Sequence, residues 1–471
     1  MRFKRFIKTA LVFLTGNVLI KLVSFLLLPL YTSELNPDQF GSYDFVMTII
    51  NLIAPIAFFQ IWDGMYRYAF DYESKQDKQN VITNSIHVCL FGSVIYFLMF
   101  FIVQQFFGFQ YFNYIIIYGL LYALNYLYTF TARIFLENKL FMLSGVIGTL
   151  ATALLNVFFI TKLGWDIKSI YVSAIIGIII QMFIIELKVG VLRHFTTNKV
   201  NYTLIFQMIF FSFPLCIATI SYWLLSGYTK FIIIYFDGNY ANGVYAIAIK
   251  ISSMITLFVS VLQFAWNETA YLMTNETERK KSYPLFIDIM TTGVAYGVAV
   301  FCLVIKMIFP YVISTEYYEA IYLIPATVIG VGANSLAGFL GTLFMTEKKT
   351  NYILLSTLYS SLINIILGFF ATKYYGVHGA AIVLALSFVI LGVLRLSKLK
   401  RMYKINLKSL KLLSLISVIV ISASSFFFLQ SNGEVIALIL IFTLMFVYSM
   451  RKYFKYLNNL FNTKKRVSEK L

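Results

Sequence analysis

The side chains able to do chemistry in this chain are ionisable groups and amides set inside stretches that are otherwise apolar. Lys21 shares a helical face with Asn17 at i−4 and Ser24 at i+3. Lys250 stands in a similar stripe with Ser253, Ser260, Gln263 and Asn267. A third stripe carries Asp44, Thr48, Asn51 and Pro55, and a fourth carries Tyr118, Tyr122, Asn125, Thr129 and Arg133. An ionised side chain at the centre of a bilayer costs on the order of 3 kcal/mol even on lenient scales, so each needs a compensating role. Four polar stripes from both halves of the chain predict a shared wet cavity. A second reading stays open for part of the set. Ser, Thr and Asn inside a span also serve by bonding a neighbouring helix, and Asp44 and Arg133 stand near enough to span ends to snorkel. Lys306, four residues before Pro310, is expected to reach the interface. Asp63 and Arg67, spaced i, i+4, form either a structural ion pair or a gate or head-group contact.

Several chemistries find no support. No Gly-rich loop precedes a Lys-Ser/Thr pair, and neither H-E-x-x-H nor C-x-x-C occurs. His87, His194 and His378 are scattered, and Cys89, Cys216 and Cys302 each sit in an apolar run, as buried small hydrophobes do. No metal, cofactor or catalytic group is expected, and hence no enzyme.

The elements that must position the stripes follow from composition. Of 471 residues, 60% are hydrophobic and only 12% charged, against about 25% charged in a soluble domain. Such a chain cannot hide its apolar surface in a globule. It is expected to be an all-α polytopic membrane protein. Apolar runs of about 20 residues mark fourteen spans: 9–30, 43–62, 83–107, 113–132, 140–161, 170–187, 204–226, 242–266, 284–309, 321–345, 352–372, 379–394, 412–429 and 434–449. The last two are separated by almost no turn, so a single re-entrant hairpin would reduce the count to twelve.

The net charge of +18 does not read as a nucleic-acid surface. With the N-terminus in the cytoplasm, 31 of the 38 Lys and Arg fall in cytoplasmic segments. Only Lys162, Lys168, Lys230 and Lys373 fall outside, as the positive-inside rule requires. Both termini are therefore expected on the cytoplasmic side of a cell membrane. The first span reads as an uncleaved signal-anchor.

The chain also resembles itself at an offset of roughly 200–210. Phe40-Gly41-Ser42-Tyr43 is echoed by Asn242-Gly243-Val244-Tyr245, and Leu136-Glu137-Asn138-Lys139 by Thr346-Glu347-Lys348-Lys349. Leu155-Asn156 with Gly164 is echoed by Ile363-Asn364 with Gly376. Two six-helix lobes, 1–200 and 201–400, are expected as parallel repeats. Residues 401–471 add two helices and a basic tail.

The segment Gly16-Asn17 through Lys21 to Leu28-Pro29-Leu30-Tyr31-Thr32, followed by Asn36-Pro37-Asp38-Gln39-Phe40-Gly41, resembles the opening of Wzx-type polysaccharide repeat-unit flippases. These belong to the multidrug/oligosaccharidyl-lipid/polysaccharide exporter superfamily. Asp63-Gly64-Met65-Tyr66-Arg67-Tyr68, Gly243-Val244-Tyr245 with Lys250-Ile251-Ser252, and Ala265-Trp266 extend the likeness. The resemblance implies a transporter that carries undecaprenyl-pyrophosphate-linked oligosaccharide to the outer leaflet by alternating access, for capsule or O-antigen-type assembly. It also implies contact with membrane lipids and with a glycan polymerase machinery. Asn, Ser, Thr and Tyr suit a sugar head group, and Lys or Arg a pyrophosphate. Lys21, Asn17, Ser24, Lys250, Ser253, Asn51, Asn125 and Arg133 are then the candidate cavity residues, with Asp63, Arg67 and Lys230 at a gate or head group. One departure stands out: where the family often has an Asp-Arg pair, this chain reads Tyr228-Thr229-Lys230-Phe231, keeping the positive charge without the carboxylate. The alternatives are a peptidoglycan-precursor or multidrug exporter of the same superfamily and, from the enzymes, a glycan polymerase or ligase. Those enzymes usually carry a large external loop with catalytic basic residues, which is not found.

Overall fold

The computed structural model describes residues 16, 18–192, 200–260, 263, 276–346, 349, 351–403 and 409–468. Among them there is no strand. After a helical stretch at 18–26, the helices are α1 (Leu28–Glu34), α2 (Pro37–Ala57), α3 (Ile61–Ala69), α4 (Lys75–Phe107), α5 (Phe112–Ile134), α6 (Asn138–Leu163) and α7 (Lys168–Val189). They continue as α8 (Tyr202–Ser252), α9 (Glu276–Val312), α10 (Ala320–Thr346), α11 (Asn351–Tyr403), α12 (Ser409–Phe428) and α13 (Asn432–Ser468). Ten helices among the described residues are long and apolar enough to cross a membrane. Two of the ten are double. Gly238 (φ 81°) breaks α8 and Gly376 (φ 57°) breaks α11, in a left-handed conformation open to glycine at little cost. A shorter apolar helix, Leu413–Phe428, adds to the set. Within the described residues the fourteen apolar runs are mostly helical, with 43–62 interrupted by a turn at 58–60.

The chain divides into two compact units, Met1–Ala246 and Ile247–Leu471. In the first, α2 to α5 pack around Phe45, Ile49, Phe58, Tyr96, Phe100 and Ala123. The opposite face of α4, with Leu90, Val94, Phe97 and Phe101, stays exposed, as a lipid-facing surface does. Asn36 opens α2 with a capping box: its Oδ1 accepts from the Gln39 backbone N–H at 2.9 Å, and Gln39 Oε1 accepts from the Asn36 N–H at 3.2 Å. Pro37 takes the first turn, where no N–H is needed. The Asn-Pro-Asp-Gln run is thus a helix start.

The first half of α8 is joined to α2 and α3 along its length. Gly64 N–H donates to Ser212 Oγ at 3.0 Å, Thr219 Oγ1 to Gln60 Oε1 at 3.1 Å, and Trp223 Nε1 to the Thr48 carbonyl at 2.9 Å. Asn242 Nδ2 closes the series on the Gly41 carbonyl at 2.7 Å. The first compact unit therefore includes residues 202–246, a segment that the repeat assigns to the second lobe.

In the second unit, Ala299 and Leu303 of α9 pack with Leu415 and Val418 of α12 and with Val435 and Phe442 of α13. Lys306, expected to reach the interface, is held at a helix end. Its ammonium donates to the carbonyls of Phe426 and Leu429 at the end of α12, where the carbonyls of a helix end lack partners and attract a cation. Arg395, expected in a cytoplasmic segment, is buried within α11, which continues to Tyr403. Its guanidinium bonds the Ala337 carbonyl at 2.7 Å, Thr357 Oγ1 at 3.0 Å and Ser356 Oγ at 3.1 Å.

Candidate functional site

The polar stripes on α2 and α5 meet in the first unit. Tyr122 donates its phenol hydrogen to Asn51 Oδ1 at 3.0 Å, and its oxygen lies 3.0 Å from the Tyr126 oxygen. Asn125 Nδ2 donates to Gln181 Oε1 of α7 at 3.1 Å. Tyr126 stacks on Trp62 with centroids 4.8 Å apart, and Tyr118 on Tyr122 at 6.0 Å. The adjoining face of α5, with Ile115, Gly119, Ala123 and Leu127, is buried in the core. Asn51 is exposed and the tyrosines are half-buried. This surface of hydroxyls, amides and rings, set among membrane-spanning helices, can hydrogen-bond and stack a polar ligand.

A break beneath it comes from Pro55, which has no N–H for the Asn51 carbonyl. Phe59 and Gln60 then turn left-handed (φ 53° and 47°) before α3 begins. Non-glycine residues rarely take that conformation. The Gln60 side chain helps hold it there, accepting from Thr219 and donating Nε2–H to Asp63 Oδ2 at 2.8 Å. Asp63 therefore does not pair with Arg67, contrary to their i, i+4 spacing. Arg67 Nη1 turns one helical turn onward to Asp71 Oδ1 at 2.5 Å, in an exposed pair. Burial pushes the Asp63 carboxyl up from its ordinary range, opposed by the Gln60 amide and the field of Arg133.

Arg133 closes the α5 stripe. Its guanidinium lies over Tyr66 at 4.8 Å, Phe130 at 5.2 Å and Phe141 at 5.8 Å. Among the described residues, no hydrogen bond or ion pair is found for it.

At the opposite end of α2, Lys230 Nζ meets Asp44 Oδ2 at 2.7 Å, with both side chains largely shielded. The carboxylate absent beside Lys230 in sequence is supplied by a residue 186 positions away. Among the other candidates, Lys21 is exposed on the helical stretch 18–26, and Ser24 Oγ donates to the Ile20 carbonyl at 3.0 Å. Lys250 is half-buried in the second part of α8, and Ser253 Oγ donates to the Lys250 carbonyl at 2.7 Å. Asn17 lies outside the described residues. Lys21 belongs to the first compact unit and Lys250 to the second. Sequence reasoning missed Asp44 as a partner for Lys230, and it missed Trp62, Tyr126 and Gln181. For Tyr126 a signal existed, since it continues the four-residue spacing of Tyr118 and Tyr122.

A cavity of about 270 Å³, lined by Tyr72, Asp77, Asn80, Asn84 and Asn201, opens beside the starts of α4 and α8. It has a carboxylate and no basic side chain, so it does not suit an anion. Among the described residues no cluster of His, Cys, Asp and Glu could hold a metal.

The architecture is that of the MOP superfamily of transporters. It is similar to an inward-facing conformation of a multidrug resistance MATE family transporter (TM-score 0.65, 14% identity, 82% of this chain and 94% of that one). It is similar also to an outward-facing conformation of such a transporter (TM-score 0.60, 15% identity, 84% and 95%). A third likeness is to a MOP superfamily transporter from Pyrococcus furiosus whose binding pocket is described as of reverse polarity (TM-score 0.56, 15% identity, 84% and 95%). No curated protein matches the sequence. The family of polysaccharide biosynthesis proteins matches residues 6–266, more than half of the chain, and the chain belongs to that family.

Proposed function

We propose that the protein is a flippase for undecaprenyl-pyrophosphate-linked oligosaccharide, moving it from the cytoplasmic to the outer leaflet for surface polysaccharide assembly. The observation that carries this reading is the surface formed by Asn51, Tyr122, Tyr126, Asn125 and Gln181 on membrane-spanning helices. A sugar chain offers donors, acceptors and C–H faces to match it, and Arg133 offers its diphosphate a cation. The lipid tail stays in the bilayer. On this reading both termini lie in the cytoplasm, and Lys21 and Lys250 are candidate contacts for the anionic head group. A drug exporter selecting organic cations would need a free carboxylate within its spans. Asp44 is instead tied to Lys230 and is not free for an organic cation. An anion moving outward is also driven by the membrane potential, by about 2.3 kcal/mol per charge per 100 mV.

Deleting the gene tests the proposal. The expected result is accumulation of one lipid-linked oligosaccharide on the cytoplasmic face, reversed by the wild-type gene. A deletion strain with an unchanged lipid-linked glycan pool and an intact surface polysaccharide would refute it.

A further inference from the structure

Tyr118, Tyr122 and Tyr126 recur every four residues on α5, placing a ring about every 6 Å along the helix. Centroids are 6.0 Å apart for the first pair, whose planes lie 23° apart, and 5.2 Å for the second, whose planes are nearly perpendicular at 86°. Successive rings thus offer a face and then an edge. Phe130 continues the row 6.4 Å from Tyr126, and Trp62 stacks on one face of Tyr126. Tyrosines in spans commonly anchor the membrane interface, but an anchor belongs at a span end. Tyr122 is ten residues from Phe112 and twelve from Ile134, the two ends of α5. These rings pack against the core of the first unit, yet Tyr118, Tyr122 and Tyr126 all keep accessible surface. Among the described residues, the Tyr118 hydroxyl has no hydrogen bond.

The row ends at Arg133, whose guanidinium is boxed by Tyr66, Phe130 and Phe141. Rings hold a guanidinium by its faces and leave the N–H edge free for an oxyanion. The negative face of an aromatic ring suits the C–H face of a pyranose, and the ring spacing is comparable with the length of one pyranose unit.

We propose that the α5 tyrosines form a stacking track for successive sugar rings of the glycan, with Arg133 holding the diphosphate at the end of the track. This rests on the flippase reading and adds to it the side chains that hold the glycan and the diphosphate.

The test is binding to the full-length protein in nanodiscs. Three probes are compared: bare undecaprenyl pyrophosphate, inorganic pyrophosphate, and lipid-linked oligosaccharide extracted from the deletion strain. Wild type should bind the extracted oligosaccharide at least tenfold tighter than bare undecaprenyl pyrophosphate. Tyr118→Leu, Tyr122→Leu and Tyr126→Leu should each lower that affinity about tenfold and leave bare undecaprenyl pyrophosphate unchanged, which also shows that the variants are folded. Phe at 118 or 126 should retain most of the affinity, since the ring remains. Arg133→Gln should weaken both lipid probes, with Lys restoring part.

If the leucine variants weaken both lipid probes alike, or neither, the track does not exist. If phenylalanine is as damaging as leucine, stacking is not the interaction. An Arg133→Gln variant that binds both lipid probes and inorganic pyrophosphate as wild type does would remove Arg133 from the track. If wild type binds neither lipid probe, the flippase reading itself fails.

Discussion

The ion pair between Asp44 and Lys230 shows how a charge deep in an apolar chain is made tolerable. The side chains are 12% and 18% exposed, with 2.7 Å between Nζ and Oδ2. Losing one partner strands the other charge, at a cost of up to about 3–5 kcal/mol. Asp44→Asn and Lys230→Gln should each lower the thermal unfolding midpoint by several degrees. The double variant should be no less stable than either single one, and additive losses would mean that the two groups do not interact. Lys306 carries a second prediction. Sequence position makes it an interfacial lysine whose removal does nothing, yet it caps α12 through the carbonyls of Phe426 and Leu429. Lys306→Met, which keeps the stem, should destabilise the docking of α12, seen as faster proteolysis near residues 429–433. An unchanged digestion pattern would return Lys306 to the interfacial role. Neither arrangement was legible in the sequence. Each partner lies more than a hundred residues away, and residue type alone gives no direction to a side chain. The α5 stripe was legible because its spacing is local, and Tyr126 could have been added on the same rule.

Among the elements, residues that the expected repeat pairs can be compared directly. Gly41 and Gly243, one such pair, meet backbone to backbone within the first unit. A methyl group on Gly41 would lie 2.0 Å from the Asn239 carbonyl oxygen, and one on Gly243 would lie 1.9 Å from that of Pro37. Gly41→Ala and Gly243→Ala should each cost about 1–3 kcal/mol through overpacking, read as reduced membrane abundance and a lower unfolding midpoint. Wild-type stability in both variants would show that the crossing is looser than described. Asn156 and Asn364, the other paired markers, are both buried. Gly164 and Gly376 both have positive φ, at 62° and 57°. The helices themselves were legible from run length, since a bilayer fixes the length of an apolar span. The turn at Phe59 and Gln60 was not, because no glycine marks it. Its conformation is held by the side-chain bonds of Gln60 to Thr219 and Asp63, which a local reading cannot see. The same bond explains why Asp63 and Arg67 do not pair despite their spacing.

For the whole molecule, composition and apolar run length were enough to predict an all-helical membrane protein, and the fold is that of MOP superfamily transporters. Membership of the polysaccharide biosynthesis family and the ring-and-amide surface of the first unit together support a glycan-bearing lipid as cargo. The central claim is transbilayer movement of that lipid, and its most direct measurement is reconstitution. Purified protein is placed in proteoliposomes holding fluorescent undecaprenyl-pyrophosphate-linked oligosaccharide in the inner leaflet, with an impermeant quencher outside. The account predicts that the fluorescence becomes quenchable with time only when protein is present. It also predicts faster movement with an outside-positive potential across the protein population oriented as in the cell, and slower movement when that potential is collapsed at constant pH and sodium. Quenching no faster than in protein-free liposomes would contradict the account.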